Sequence, residues 1–284
     1  MDFSDMFTVT PMSQKIDLEA GEVYRGSITV ANPASAVKDF EYKVEPAKYS
    51  VVGEDYEADF LTESDYTRMA DWITVENPTG SLKPNETATI NFTIKVPDDV
   101  PAGGQYAALM VGSNSSNTGN ETVTVNNVYE MASIIYAKVA GETVRSGEVV
   151  SNSFPGFATA LPITTSVVFK NEGNIHEAAQ VSIEVRDAFT NNVIYPRDGE
   201  NSTIEEIVMP GTTREFVREV DNISPVGIYE IKQKVVYMGQ AYAEEHTVVV
   251  CPIWFMLLIA LLIGVIVGII VRLVIKHRRR PVAV

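Results

Sequence analysis

The sequence predicts an all-β chain: two tandem β-sandwiches followed by a single transmembrane α-helix. Three observations carry that expectation. Strict two-residue alternation of apolar and polar side chains recurs through the first 250 residues, the landmarks of the first half return in the same order in the second, and the 25 residues from Thr247 to Val271 carry no charge. Alternation at period two gives a strand one buried face. A repeated order of strands and turns gives two copies of one unit. About 20 apolar residues is the length a helix needs to cross roughly 30 Å of hydrocarbon.

The strands follow in order. Tyr24, Gly26, Ile28 and Val30 alternate with Arg25, Ser27 and Thr29, and Ala88, Ile90, Phe92, Ile94 and Val96 alternate with Thr89, Asn91, Thr93 and Lys95. The second half repeats the pattern with Thr165, Val167 and Phe169, then Ala179 to Val185, then Tyr229, Ile231, Val235 and Tyr237. No amphipathic helix interrupts them, so sheets packed face to face are expected.

The landmarks agree in detail. A strand ends in Val30-Ala31-Asn32 and again in Phe169-Lys170-Asn171; Pro84 matches Pro210, Thr87 matches Thr213, and Gly104-x-Tyr106 matches Gly227-x-Tyr229. In immunoglobulin-like sandwiches a tyrosine at this place often bonds back to upstream backbone, which is the expectation for Tyr106 and Tyr229; ordinary half-buried strand tyrosines are the alternative. Asn32 lies 52 residues before Pro84 but Asn171 only 39 before Pro210, so the first unit carries an insertion, placed at Ser50 to Trp72. The stretch from Gly112 to Glu121 reads as a polar loop. The boundary falls between Val139 and Val150, giving immunoglobulin-like units at 1–140 and 141–250, a membrane helix at 251–275 and a short basic tail at 276–284.

Charge divides the chain. All 37 acidic residues precede Cys251, together with 17 of the 22 lysines and arginines, a net charge of −20; Arg272, Lys276, Arg278, Arg279 and Arg280 follow it. An acidic exterior repels nucleic acid and anionic lipid. Trp254 at one edge of the apolar run and the basic cluster at the other orient the helix with its C-terminus cytoplasmic and the preceding residues outside. Export needs a signal peptide, and MDFSDMFTVTP has neither a basic start nor an apolar core. Removal of a signal is therefore expected, with tail insertion leaving the sandwiches in the cytosol as the alternative. The lone cysteine, Cys251, excludes internal disulfides.

Nothing in the pattern points to an enzyme. Two histidines, His176 and His246, precede the apolar run, and no G-x-S-x-G, H-E-x-x-H or phosphate-binding glycine loop occurs. His246 follows Glu244 and Glu245 in a solvated cluster, and turn chemistry accounts for the string around His176. No cofactor is expected. Glu54, Asp55, Glu57 and Asp59 are the acidic residues that calcium would use, although they do not fit an EF-hand loop. Six Asn-x-Ser/Thr sequons occur, at Asn85, Asn91, Asn114, Asn120, Asn201 and Asn222. Gly264-x-x-x-Gly268 has the spacing that lets two membrane helices pair. Candidate ligand contacts are Tyr56, Asp59, Tyr66 and Trp72 in the insertion, since aromatics beside polar groups suit sugar and protein surfaces; core packing is the alternative for Trp72.

Pro11, Gly21, Asn32, Leu82 to Pro84, Val96-Pro97 and Gly103-Gly104 lie in segments that resemble bacterial WxL-interacting proteins. That resemblance implies an N-terminal immunoglobulin-like peptidoglycan-binding domain, a second immunoglobulin-like domain for partner binding, a membrane helix and a basic tail. It implies a non-catalytic protein of a bacterial cell surface, gripping peptidoglycan or other surface proteins. The second half resembles generic extracellular sandwich modules equally well. Two other functions fit the chain: a tail-anchored cytosolic adaptor of the major sperm protein type, and an accessory subunit of a membrane complex.

Overall fold

A computed structural model describes residues 6–113, 130–197 and 201–278. From Asn114 on, the stretch read as a polar loop lies outside the described residues, as do the sequons at Asn114 and Asn120 and tail residues Arg279 and Arg280. The chain divides into two compact units. The first comprises Met1–Glu148 with Lys170–Glu177 and Ile207–Arg214; the second comprises Val149–Phe169, Ala178–Glu206 and Glu215–Val284.

The strands of the first half are β1 (Thr8–Thr10), β2 (Ser13–Leu18), β3 (Val23–Ala31), β4 (Phe40–Lys48), β5 (Ser50–Val52), β6 (Glu57–Asp59), β7 (Ile73–Val75), β8 (Thr79–Leu82), β9 (Thr87–Lys95), β10 (Gly103–Ser113) and β11 (Glu130–Val139). They form one sheet in the order β1-β3-β9-β7 and another in the order β2-β11-β10-β4-β8. The first strand changes sheets: β1 runs antiparallel to β3, whereas β2 runs parallel to β11. The break falls at Pro11, which has no N–H to continue a ladder. Ile28, Val30, Ile90, Phe92 and Ile94 from one sheet pack with Leu18, Val44, Leu109, Val111 and Ile135 from the other. Each such buried side chain contributes roughly 1.5–3 kcal/mol relative to exposure.

The second half holds β12 (Gly147–Ser153), β13 (Phe157–Ala158), β14 (Ile163–Asn171), β15 (Glu177–Asp187), β16 (Val193–Tyr195), β17 (Thr203–Val208), β18 (Thr213–Val220), β19 (Gly227–Tyr237) and β20 (Gln240–Val250). Its sheets run β12-β14-β18 and β13-β20-β19-β15-β16, with β17 beside β15. The opening strand again changes sheets, β13 lying parallel to β20. Ile163, Ile183, Val185, Val220, Tyr229, Ile231, Val248 and Val250 form the core of the second unit. The architecture is two immunoglobulin-like sandwiches, as the alternation predicts.

The repeated Asn and Pro landmarks have one structural meaning. Asn32 and Asn171 are buried, and each amide donates to two backbone carbonyls: Asn32 to Lys38 and Leu82 at 3.0 and 2.9 Å, Asn171 to Ile175 and Val208 at 2.8 and 2.9 Å. Leu82 and Val208 each stand two residues before the matched proline. The residue after each proline donates its N–H to the carbonyl of the same asparagine, Asn85 at 3.0 Å and Gly211 at 2.9 Å. Both of those residues have positive φ, 68° and 70°. Asparagine supplies the donors a buried turn lacks, which is why it recurs where the strand's pattern calls for an apolar residue.

The Gly-x-Tyr pairs also act alike at the glycine. A Cβ on Gly104 would lie 2.0 Å from the Tyr106 hydroxyl, and one on Gly227 2.5 Å from that of Tyr229, so each tyrosine ring covers its glycine. Tyr229 then does what the sequence predicts, donating to the Ser224 carbonyl five residues upstream at 2.7 Å. Tyr106 does not: its hydroxyl meets His176 Nδ1 at 3.3 Å.

After β20 ends at Val250, only Cys251 and Pro252 precede helix α1 (Ile253–Arg278). Ile253–Ile275 has a mean hydropathy of 3.1 and is long and apolar enough to cross a membrane. Gly264 and Gly268 lie on this helix with no atom within 4 Å of where a Cβ would stand.

Candidate binding site

The insertion after β4 folds into a small hairpin and a turn of 3-10 helix in the first unit. β5 and β6 pair antiparallel, Ser50 opposite Asp59. Between them Gly53 and Tyr56 adopt positive φ, 72° and 62°. Positive φ is natural for glycine and uncommon for tyrosine, and the Tyr56 side chain shows what holds it there. Its hydroxyl accepts the Met209 N–H at 2.7 Å and bonds the Thr212 hydroxyl, while the Arg214 guanidinium lies 4.2 Å above its ring. Arg214 itself donates to the Ile207 carbonyl at 2.6 Å.

Beyond the hairpin, Asp59 Oδ1 accepts the N–H groups of Leu61 and Thr62 at 2.8 and 3.2 Å, and Thr67 Oγ1 accepts the Ser64 N–H at 2.9 Å. These side chains replace the sheet partners that an irregular segment lacks. Two bonds then fix it to β10: Gln105 Nε2 donates to the Asp65 carbonyl and the Tyr106 N–H to the Tyr66 carbonyl, both at 2.7 Å. The 3-10 helix Arg68–Trp72 follows, burying Met69 and Ala70.

This folding gathers aromatic residues that are far apart in sequence. Tyr49 and Tyr136 meet edge to face at 5.9 Å with hydroxyls 3.4 Å apart, Tyr106 and Tyr136 edge to face at 5.9 Å, and Tyr66 tilts over Tyr106 at 6.5 Å. His176 packs on both Tyr106 and Tyr136, its ring 5.7 and 5.5 Å from theirs. A pocket of about 200 Å³ opens among Tyr49, Ser50, Thr62, Tyr66, Tyr106 and Met209. Aromatic faces supply apolar area while the hydroxyls supply directional bonds, the usual make-up of a small-ligand or side-chain pocket.

Burial sets the protonation states. It raises the phenol pKa values of Tyr106 and Tyr136 far above the ordinary value and raises that of Tyr56 less. It pushes the His176 imidazole down to about 4, helped by the positive charge of Lys15. The Tyr106–His176 pair is therefore two neutral groups at pH 7. A phenol shifted this way is a poorer nucleophile and proton donor than a free one, the reverse of what catalysis asks of a tyrosine. Burial also lowers the Arg214 pKa.

The residues proposed from sequence are thus distributed unevenly. Tyr66 lines the pocket, and Tyr56 packs in the same aromatic cluster. Asp59 spends one carboxylate oxygen on the turn, and the Thr62 hydroxyl, followed by the N–H groups of Leu61 and Thr62, holds its pKa below the usual range. Trp72 is half-buried and packs against the core of the first sandwich. Among the described residues, no three His, Cys, Asp or Glu side chains converge as a metal ion requires. Tyr49, Tyr136, Met209 and His176 are pocket or cluster members that sequence reasoning missed, and His176, read only as part of a turn, packs on Tyr106 and Tyr136. His246 stands exposed 3.5 Å from exposed Glu244, as the solvated-cluster reading expects, and also stacks on Phe154 with ring centroids 4.1 Å apart.

No protein-family model and no curated protein matches the chain. Solved structures similar to it include the class 5 fimbriae chaperone CfaA, 13% identical over 85% of this chain and 99% of that one with a TM-score of 0.40. Another is the Salmonella enterica SafA pilin in complex with the SafB chaperone, 12% identical over 86% and 97% with a TM-score of 0.39. A third is the CsuC–CsuE pre-assembly complex of Acinetobacter baumannii, 15% identical over 85% and 98% with a TM-score of 0.38. At these identities the likeness concerns fold, and no function is taken from it.

Proposed function

We propose that this chain is a non-catalytic, membrane-anchored protein of a bacterial envelope that binds or scaffolds surface components, with peptidoglycan or another surface protein as its ligand. The observation that carries the reading is the pocket built by the inserted hairpin. An insertion that interrupts a sandwich's alternation, is fixed by its own hydrogen bonds and presents tyrosines beside hydroxyls is a binding feature rather than a connector. The membrane-length helix two residues after the last strand supports a tether, and the −20 charge of the preceding residues supports a soluble exterior. The resemblance to WxL-interacting proteins supplies peptidoglycan as the first ligand to try. In this reading Tyr66 forms the contact surface, Tyr56 locks the hairpin behind it through Met209 and Thr212, Asp59 shapes its turn and Trp72 braces it from the core side.

The test is sedimentation of the detergent-solubilised full-length chain with purified peptidoglycan sacculi, with calcium or a chelator, against an unrelated acidic sandwich protein as control. Specific retention that Tyr66→Ala reduces several-fold supports the wall-binding form. Retention no greater than the control in both conditions removes peptidoglycan and leaves a surface protein as the ligand.

A further inference from the structure

We infer that the membrane-proximal end of the second unit docks onto the lipid headgroup layer through Phe189 and Phe157, so that the domain is seated on the bilayer and not merely tethered to it. The inference rests on the reading of α1 as a membrane span. Phe189 is 80% exposed and Phe157 51% exposed, and it is their shared position at one end of the unit that sets these two large apolar side chains apart.

Register places both at the end where the chain enters the helix. Asp187 of β15 stands opposite Tyr229 of β19, and Tyr229 opposite Val248 of β20. Ala188 bonds the carbonyl of Ile228, which pairs with Val249, so the turn that carries Phe189 stands at the end of the sheet where Val249 and Val250 lie. Phe157 pairs with Val249. β15 is two strands from β20, so at about 4.8 Å per strand the Phe189 turn is displaced laterally from the helix by roughly 10 Å.

The junction leaves little slack. Cys251 donates its N–H to the Ala158 carbonyl at 2.9 Å, which extends the fixed part of the sheet to Cys251, one residue before the helix cap at Pro252. Two extended residues reach roughly 7 Å at most. The hydrocarbon begins near Ile253, and the headgroup region adds about 5–7 Å on each side. The level of Val249 to Cys251 therefore falls within that layer, where aromatic rings are favoured, and Trp254, 59% exposed, stands at its inner edge.

The Phe189 turn is rigid enough to present its ring. Asp187 Oδ1 accepts the Phe189 N–H at 3.0 Å, the Thr190 N–H at 2.8 Å and the Thr190 hydroxyl at 3.0 Å. Ala188 donates to the Ile228 carbonyl at 3.0 Å, and Asn191, at a φ of 58°, donates to the Asp187 carbonyl at 2.8 Å.

The full-length chain with Cys251→Ala is reconstituted into phosphatidylcholine vesicles and labelled with an environment-sensitive fluorophore at Asn192→Cys, beside the turn, or at Tyr242→Cys, near the opposite end of β20. Shallow-spin-labelled lipid should quench the 192 label several-fold more than the 242 label, and Phe189→Ser should reduce that quenching at least two-fold. Equal quenching at the two sites, or quenching at 192 indifferent to Phe189→Ser, overturns the inference. A blue-shifted but unquenched label at 192 also overturns it, in favour of contact with protein. Alkaline carbonate extraction of the same vesicles separates the two readings: release into the supernatant refutes the membrane span itself, whereas retention with an unquenched label refutes only the docking.

Discussion

Replacing Asn171 by alanine removes one side chain and strands three backbone groups. The carbonyls of Ile175 and Val208 lose donors at 2.8 and 2.9 Å, and the Gly173 N–H loses an acceptor at 2.9 Å. Asn171 is 1% exposed, so water does not replace the missing partners. A buried hydrogen bond is worth about 0.5–1.5 kcal/mol net, and an orphaned buried group costs about 1–3 kcal/mol, which puts the variant roughly 3–4 kcal/mol below the parent after partial relaxation. Asn171→Asp keeps an acceptor for Gly173 but turns a carboxylate oxygen toward two carbonyls. Burial and those carbonyls raise its folded-state pKa above the unfolded value of about 3.9. The folded state then binds more protons than the unfolded one between those two values. Its penalty is therefore complete above the folded pKa and shrinks as pH falls toward about 4. Guanidinium unfolding of the full-length chain in mild detergent reads both effects. With slopes of about 2–6 kcal/mol per molar, the alanine variant should lower the midpoint by roughly 0.5–2 M. A loss below about 0.5 kcal/mol for Asn171→Ala, less than one ordinary buried hydrogen bond, would refute the claim that this side chain closes the turn. A pH-independent deficit for Asn171→Asp relative to the parent would do the same.

Other expectations follow from the same geometry. His176 is held at about 4 when folded, so the unfolded chain takes up a proton first as pH falls below about 6.5. Stability should drop by up to about 3 kcal/mol between pH 6.5 and 4, and His176→Gln should flatten that slope in denaturant titrations. Gly227→Ala forces a Cβ to 2.5 Å from the Tyr229 hydroxyl and 2.6 Å from its ring carbon. It should cost about 1–3 kcal/mol in thermal unfolding, and an unchanged midpoint would mean the ring is free to move. Tyr56→Phe leaves the Met209 N–H without its 2.7 Å acceptor, so hydrogen exchange at Met209 should accelerate roughly ten-fold, equivalent to about 1.4 kcal/mol.

Much of the fold was legible because its causes are local. Alternation along Tyr24 to Val30 and Ala88 to Val96 marks a buried face whatever lies opposite, and those stretches are β3 and β9. The Asn, Pro and Gly-x-Tyr landmarks marked turns with special donors or tight backbone, and each pair proved equivalent except at the Tyr106 hydroxyl. Of the candidate site, the sequence located the insertion and two of its tyrosines. It could not reveal that Tyr49, Tyr136 and His176 join them, because Tyr49 and Tyr136 are 87 residues apart and nothing near either position signals the other.

The sequence by itself therefore determined the two sandwiches, their repeated turns and the membrane-length helix, since periodicity and the conformational demands of Pro, Gly and Asn act within a few residues. Only the tertiary structure decided which side chains share the pocket, why His176 stays neutral, and that Phe189 and Phe157 stand level with the start of the helix. Those facts depend on strand register and burial, which set distances between residues far apart along the chain and leave no local pattern in it.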